Sequence, residues 1–192
     1  MPRLQPLEAL TLDQEQNDIL EAIKSGPRGA IRGPFPAWIR SPILADRGQK
    51  LGEFVRYNTS FEPKLAELAI IVCARYWTAQ YEWYAHAKLA LDGGLASSIV
   101  DAIARKERPG GMAADEAAVY DFCTELHLDK NVSDATYEAA LNQFGERGVV
   151  ELVGISGYYT MVSMTLNVFE VELPEGVKAV SYTHLTLPTI VR

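Results

Sequence analysis

The stretch "GVVELVGISGYYTMVSMTLNVFEV", Gly148 to Val171, constrains this chain more than any other. Its length would suffice to cross a bilayer. It carries Glu151, Asn167 and Glu170, however, together with closely spaced glycines, and no Lys or Arg flank follows it directly. These residues predict a central helix, buried on most sides within a helical bundle or an oligomer, rather than a membrane span.

The segments before it read as helices that would surround such a centre. "TLDQEQNDILEAI" sets Ile19, Leu20 and Ile23 on one stripe, with Thr11 or Asp13 able to cap it. "SGPRGAIRGPFPAWIRSP" is rich in Gly and Pro and reads as a long loop, a kind of segment that often carries function. Helical character resumes from Ile43 to Tyr57. In "SFEPKLAELAIIVCARYW" Ser60 is a candidate cap, Glu62 and Pro63 suit the first turn, and Leu65, Leu68, Ala69 and Val72 form the apolar face. "AQYEWYAHAKLALDGG" follows and stops at Gly93 and Gly94, and "LASSIVDAI" is a short helix with Ser97 as its expected cap. "MAADEAAVYDFCTELH" spaces Val119, Phe122, Cys123 and Leu126 helically, and "VSDATYEAALNQF" opens on Ser133 and runs to Gly145. No segment alternates with a period of two. The expected fold is all-α, with a single domain over residues 1–180.

Residues 181–192, "SYTHLTLPTIVR", break the pattern and read as an appended, non-native tail, so His184 is set aside. The N-terminal "MPRLQPLEAL" lacks the pattern of a secretory signal. Two cysteines, Cys73 and Cys123, stand among apolar residues without a CxxC, which predicts buried thiols and a cytoplasmic compartment. A net charge of −7 with no basic cluster excludes non-specific nucleic-acid binding. No membrane partner is expected.

Chemistry concentrates on His86. In a helix Ala79, Glu82 and His86 share a face, with Trp83, Ala87 and Leu91 on an adjoining stripe able to pack inward. A carboxylate four residues from an imidazole fixes its tautomer and raises its proton affinity, as a proton relay requires. The same spacing equally serves an exposed pair worth about 0.3 kcal/mol. One His and one Glu fall short of a zinc site, and HExxH, Walker, GxGxxG and GxSxG motifs are absent. No metal or cofactor is expected. His127 near a helix end suits a partly charged imidazole on the helix dipole.

The residues "ELAIIVCARYWTAQYEWYAHAKLALDGGL", Glu67 to Leu95, resemble the signature hairpin of the carboxymuconolactone decarboxylase family, which includes the alkylhydroperoxidase D-like (AhpD-like) proteins. The lead-in "GPFPAWIRSPILADRGQKLGEFVRYNTSFEPKL" and the later "DFCTEL" and "VSDATY" are similar to the family as well, so the resemblance extends to about Pro174. It implies an AhpD-like helical bundle that assembles into trimers or hexamers. It also implies a site at Glu67, Glu82 and His86. In the redox branch of the family a CxxC would occupy positions 79 and 82; here the motif is A-Q-Y-E, so a thiol peroxidase is disfavoured. The resemblance points instead to a lyase acting on a small lactone or cyclic carboxylic acid. His86 would be the proton donor, oriented by Glu82 or Glu67. Arg75 or Arg40 would receive the substrate carboxylate, and Tyr81, Trp83 and Tyr84 would form an apolar wall. A non-catalytic oligomeric binding protein is the other alternative.

Overall fold

A computed structural model describes residues 2–180 of the chain. Among them are eight α-helices and one short 3-10 turn at Leu7–Ala9, with no strand. The helices are α1 (Gln14–Ser25), α2 (Phe35–Trp38), α3 (Pro42–Tyr57), α4 (Pro63–Tyr76), α5 (Gln80–Asp92), α6 (Ser97–Ala104), α7 (Ala114–Asp129) and α8 (Asp134–Val168). The all-α expectation holds. The proposed tail at 181–192, with His184, lies outside the described residues.

The apolar stretch from Gly148 supplies the second part of α8, which ends at Val168. Its inward residues Leu152, Ile155, Tyr159, Val162 and Leu166 join a core to which all eight helices contribute. By length and composition α8 could cross a membrane, but 61% of its most apolar window is buried inside the protein, as in a core helix. Glu151 is tolerated there because its carboxylate accepts from the Ser60 backbone N–H and hydroxyl, both at 2.6 Å, and from Arg147 Nε at 2.8 Å. Ser60 is thus committed to Glu151, and Glu62 stands at the N-cap of α4 instead. Similarly, Ser97 is the first residue of α6 and Ala96 its cap. Asp13, not Thr11, caps α1, in a reciprocal capping box with Gln16.

Gly145 ends a helical run, as its position suggests, and α8 is two helices that meet there. The glycine's φ of 65° inserts one non-helical residue, a kink after which α8 continues to Val168. The Gly/Pro segment is not wholly irregular, since it contains the single turn α2, entered through Pro34 and Pro36.

α3 packs against this region through small residues. Ala45, Gly48 and Gly52 are buried on one face. A Cβ on Gly48 would come within 2.9 Å of the Trp38 ring, and one on Gly52 within 2.0 Å of the Tyr158 hydroxyl. The absent side chains therefore clear space on α3 for two large aromatics. Trp38 also donates from Nε1 to Thr165 Oγ1 on α8 at 2.9 Å, which ties the loop to the central helix.

α4 and α5 form a tight antiparallel hairpin, joined by Trp77, Thr78 and Ala79. Thr78 has φ 49°, a left-handed conformation unusual for a β-branched residue. Arg75 braces this turn. Its Nη1 donates to Thr78 Oγ1 at 3.2 Å and its Nε to the Ala104 carbonyl at 2.8 Å, which links the hairpin to the end of α6.

Candidate functional site

The hairpin faces Glu67 of α4 towards His86 of α5. Glu67 lies one turn into α4, and His86 falls on the buried face of α5 with Ala79, Glu82 and Ala90. The adjoining stripe packs inward in part: Trp83 and Ala87 rest against the core, whereas Leu91 is 43% exposed. The polar pair itself faces the core, so the helix packs on its chemistry.

His86 Nδ1 lies 2.6 Å from Glu67 Oε2, and His86 Nε2 lies 2.9 Å from Glu82 Oε1. Glu67, Glu82 and His86 are 8%, 4% and 5% exposed, so this is a buried chain of three groups and not a solvated surface pair. Burial pushes the imidazole towards its neutral form. The flanking carboxylates of Glu82 and Glu67 outweigh that and raise its pKa to about 9. At neutral pH both ring nitrogens therefore carry hydrogens and donate, one to each glutamate. Glu82 sits in the first turn of α5, where the helix dipole favours its negative charge. The Tyr159 ring meets the imidazole edge-on at 5.1 Å and seals its inner side.

Glu82 and His86 line a cavity of about 360 Å³. Its other walls come from the Gly/Pro segment (Arg28, Arg32 and Phe35), from Arg56 on α3, and from Tyr158 and Tyr159 on α8. The segment turns at Gly29 and Gly33, whose φ values of 67° and 64° suit glycine. Edge-to-face contacts run from Phe35 through Trp38, Tyr158 and Tyr159 to His86, a continuous aromatic wall. Among the described residues no carboxylate forms an ion pair with Arg28, Arg32 or Arg56, whereas Lys88 is paired with Asp92. The cavity thus joins an acid–base chain at one wall to three arginine charges at another.

The structure brings Glu67, Glu82 and His86 together and sets Tyr81 and Tyr84 at the cavity. Trp83 packs against the core away from it. Arg75 braces the hairpin turn as described above, and Arg40 donates to the Pro36 and Gln5 carbonyls, so neither guanidinium lines the cavity. Arg28, Arg32, Arg56, Tyr158 and Tyr159 were not legible as site residues. The abundance of Gly and Pro around Arg28 and Arg32 was the one usable signal.

Two expectations about single residues need separate statements. His127 is buried and stacked on Tyr76 at 5.0 Å, and its Nε2 has no hydrogen-bond partner. Burial, with Lys130 nearby, lowers its pKa to about 4, so it is neutral and does not act as a cation on the helix dipole. Lys130 takes that place by donating to the His127 carbonyl. Cys73 and Cys123 are buried free thiols, each pushed up to about 12 by burial. Both approach Ser156 of α8, Cys73 at the carbonyl (3.8 Å) and Cys123 at the hydroxyl (3.6 Å).

Fold and site define a class: an all-α protein with a buried Glu–His–Glu chain opening on an arginine-lined cavity. No protein-family model matches the chain, and no curated protein is similar enough to it to match.

Proposed function

We propose that the protein is an acid–base enzyme of the carboxymuconolactone decarboxylase type, a cytoplasmic lyase acting on a small lactone or cyclic carboxylic acid. The observation that carries this reading is the hydrogen-bonded chain Glu67–His86–Glu82 ending at a cavity lined by Arg28, Arg32 and Arg56, which form no ion pair among the described residues. The resemblance of the α4–α5 hairpin to that family supports it as well.

In decarboxylation the bond between carbon and the departing carboxylate breaks, carbon dioxide leaves, and the electron pair passes into the conjugated carbonyl. A proton must then reach the carbon. The Nε2 hydrogen of His86 is already given to Glu82, so Glu82 is the group that meets the substrate. The proton passes from the imidazolium to Glu82 and from Glu82 to carbon, while Glu67 holds the imidazole by its other edge. Solvent protons recharge the chain. The buried thiols speak against the redox alternative, because a thiolate with a pKa near 12 is scarcely populated at neutral pH.

The test is carbon dioxide release from a panel of lactone and β-keto carboxylic acids. Release that disappears in His86→Ala and in Glu82→Gln supports the reading. No release from any compound by the folded protein overturns it and leaves a binding protein.

We also propose that the chain self-associates as a trimer or hexamer through α8. Val150, Val153, Met164 and Val168 are 69%, 50%, 40% and 52% exposed, and with Gly157 they fall on one narrow stripe. Leu44, Leu51 and Phe54 of α3 are exposed as well, and α3 meets α8 where Gly154 faces Val55. Sedimentation equilibrium should show an oligomer that Val153→Glu dissociates. A monomer at every concentration would refute this.

A further inference from the structure

Arg28 stands out among the groups that the acid–base chain does not use. Its guanidinium lies over the Phe35 ring, 4.9 Å from the centroid, at the cavity wall. Its Nε and Nη2 are buried and make no hydrogen bond of good geometry, the Tyr158 hydroxyl being the polar group that interacts with the guanidinium. No ion pair compensates its charge among the described residues. Buried donors on a cation are costly to leave unmatched, and native proteins rarely do so without a reason. The backbone of α3 is also shaped for this group. A Cβ at Gly52 would lie 2.3 Å from Arg28 Nη2 and 2.0 Å from the Tyr158 hydroxyl, so glycine admits both side by side.

We infer that Arg28, with the Tyr158 hydroxyl beside it, is the anchoring subsite for the carboxylate of a flat, unsaturated organic acid bound against Glu82. This rests on the acid–base reading and adds to it the residues that hold the ligand. Nε and Nη2 form the side-on fork of a guanidinium, whose parallel N–H groups match the two oxygens of a carboxylate. A small turn of the planar group towards the cavity brings that fork onto the ligand, whose two oxygens are fuller acceptors than the Tyr158 hydroxyl beside it. The phenol adds a third donor. The aromatic wall of Phe35, Tyr158 and Tyr159 suits a flat ring, and Arg32 and Arg56 add the field that draws an anion in. Arg28 is a binding residue, distinct from the proton-transferring Glu82.

The probe is 2-furoate, with neutral 2-furamide as its isostere, titrated calorimetrically into the full chain. The wild-type protein should bind furoate saturably and furamide far more weakly. Arg28→Gln should weaken furoate binding about 10- to 100-fold, Arg28→Lys should keep part of the affinity, and Tyr158→Phe should lose about threefold to tenfold. Circular dichroism and melting curves confirm that each variant is folded, and Tyr158→Phe removes one oxygen only, so it tests the subsite even if Arg28→Gln does not fold. Equal affinity for furoate and furamide, no furoate binding by the wild type, or unchanged affinity in Arg28→Gln or Tyr158→Phe would each overturn the subsite. The two readings fail separately. Arg28-dependent binding without turnover of any acid removes the enzyme and keeps the subsite. Glu82-dependent turnover with affinity indifferent to Arg28 does the reverse.

Discussion

Glu82→Gln is expected to lower the turnover number on a decarboxylated substrate by about 10²- to 10⁴-fold, with little change in the Michaelis constant. The substitution keeps the size and planarity of the side chain. Its amide oxygen still accepts from His86 Nε2, so the 2.9 Å contact and the position of α5 are preserved. The ability to carry a proton from the imidazolium to carbon is lost, together with one of the two counter-charges that keep the imidazole protonated. Because that step belongs to the transition state, the effect falls on turnover and not on substrate binding. His86→Ala should be as damaging, since it empties the proton source. The Glu82→Gln/His86→Ala double variant should be no worse than either single one, as expected for residues that act as one unit. A Glu82→Gln enzyme with wild-type turnover would dismiss the relay.

Glu67→Ala should destabilise the protein by about 3 to 5 kcal/mol, because it leaves a buried imidazolium short of one of its two counter-charges. For a chain of this size that corresponds to a fall in melting temperature of about 6 to 20 °C. The same linkage fixes a pH dependence. The folded-state pKa of His86 is raised from 6.5 to about 9, so folding favours the protonated form. The stabilisation, about 3 kcal/mol, is complete below pH 6.5 and is lost as pH rises through about 9. Urea unfolding between pH 6 and pH 10 should show wild-type stability declining across that window, and in Glu67→Ala the decline should be markedly smaller. A flat wild-type profile would mean that His86 does not hold its proton in the folded state.

The helices and half of the site were legible because they depend on local order. Period and spacing place Glu82 and His86 on one face of α5, and Gly93–Gly94 end it. Whether that face looks inward was not legible. The stripe of Trp83, Ala87 and Leu91 is the more apolar, yet Glu82 and His86 are the more buried, with Glu67 of α4 and Tyr159 of α8 packed on the imidazole. Gly145 carries a strong stop signal, and the helical geometry of α8 breaks there. Ser60 has the chemistry of a cap, but a carboxylate 91 positions away takes its donors. Arg28, Gly52 and Tyr158 have no shared spacing at all. They meet because a loop, a helix and the central helix converge there, and that information exists only in three dimensions.

The two cysteines give the molecule a built-in clock. Cys73 belongs to α4 and Cys123 to α7, and both thiols rest on Ser156 of α8. No reagent reaches either sulfur until those three helices part. The rate at which the native protein consumes a thiol reagent therefore times the opening of its own centre. A cysteine introduced elsewhere on the surface would be the single fast site, with the natural pair left in place as an internal reference.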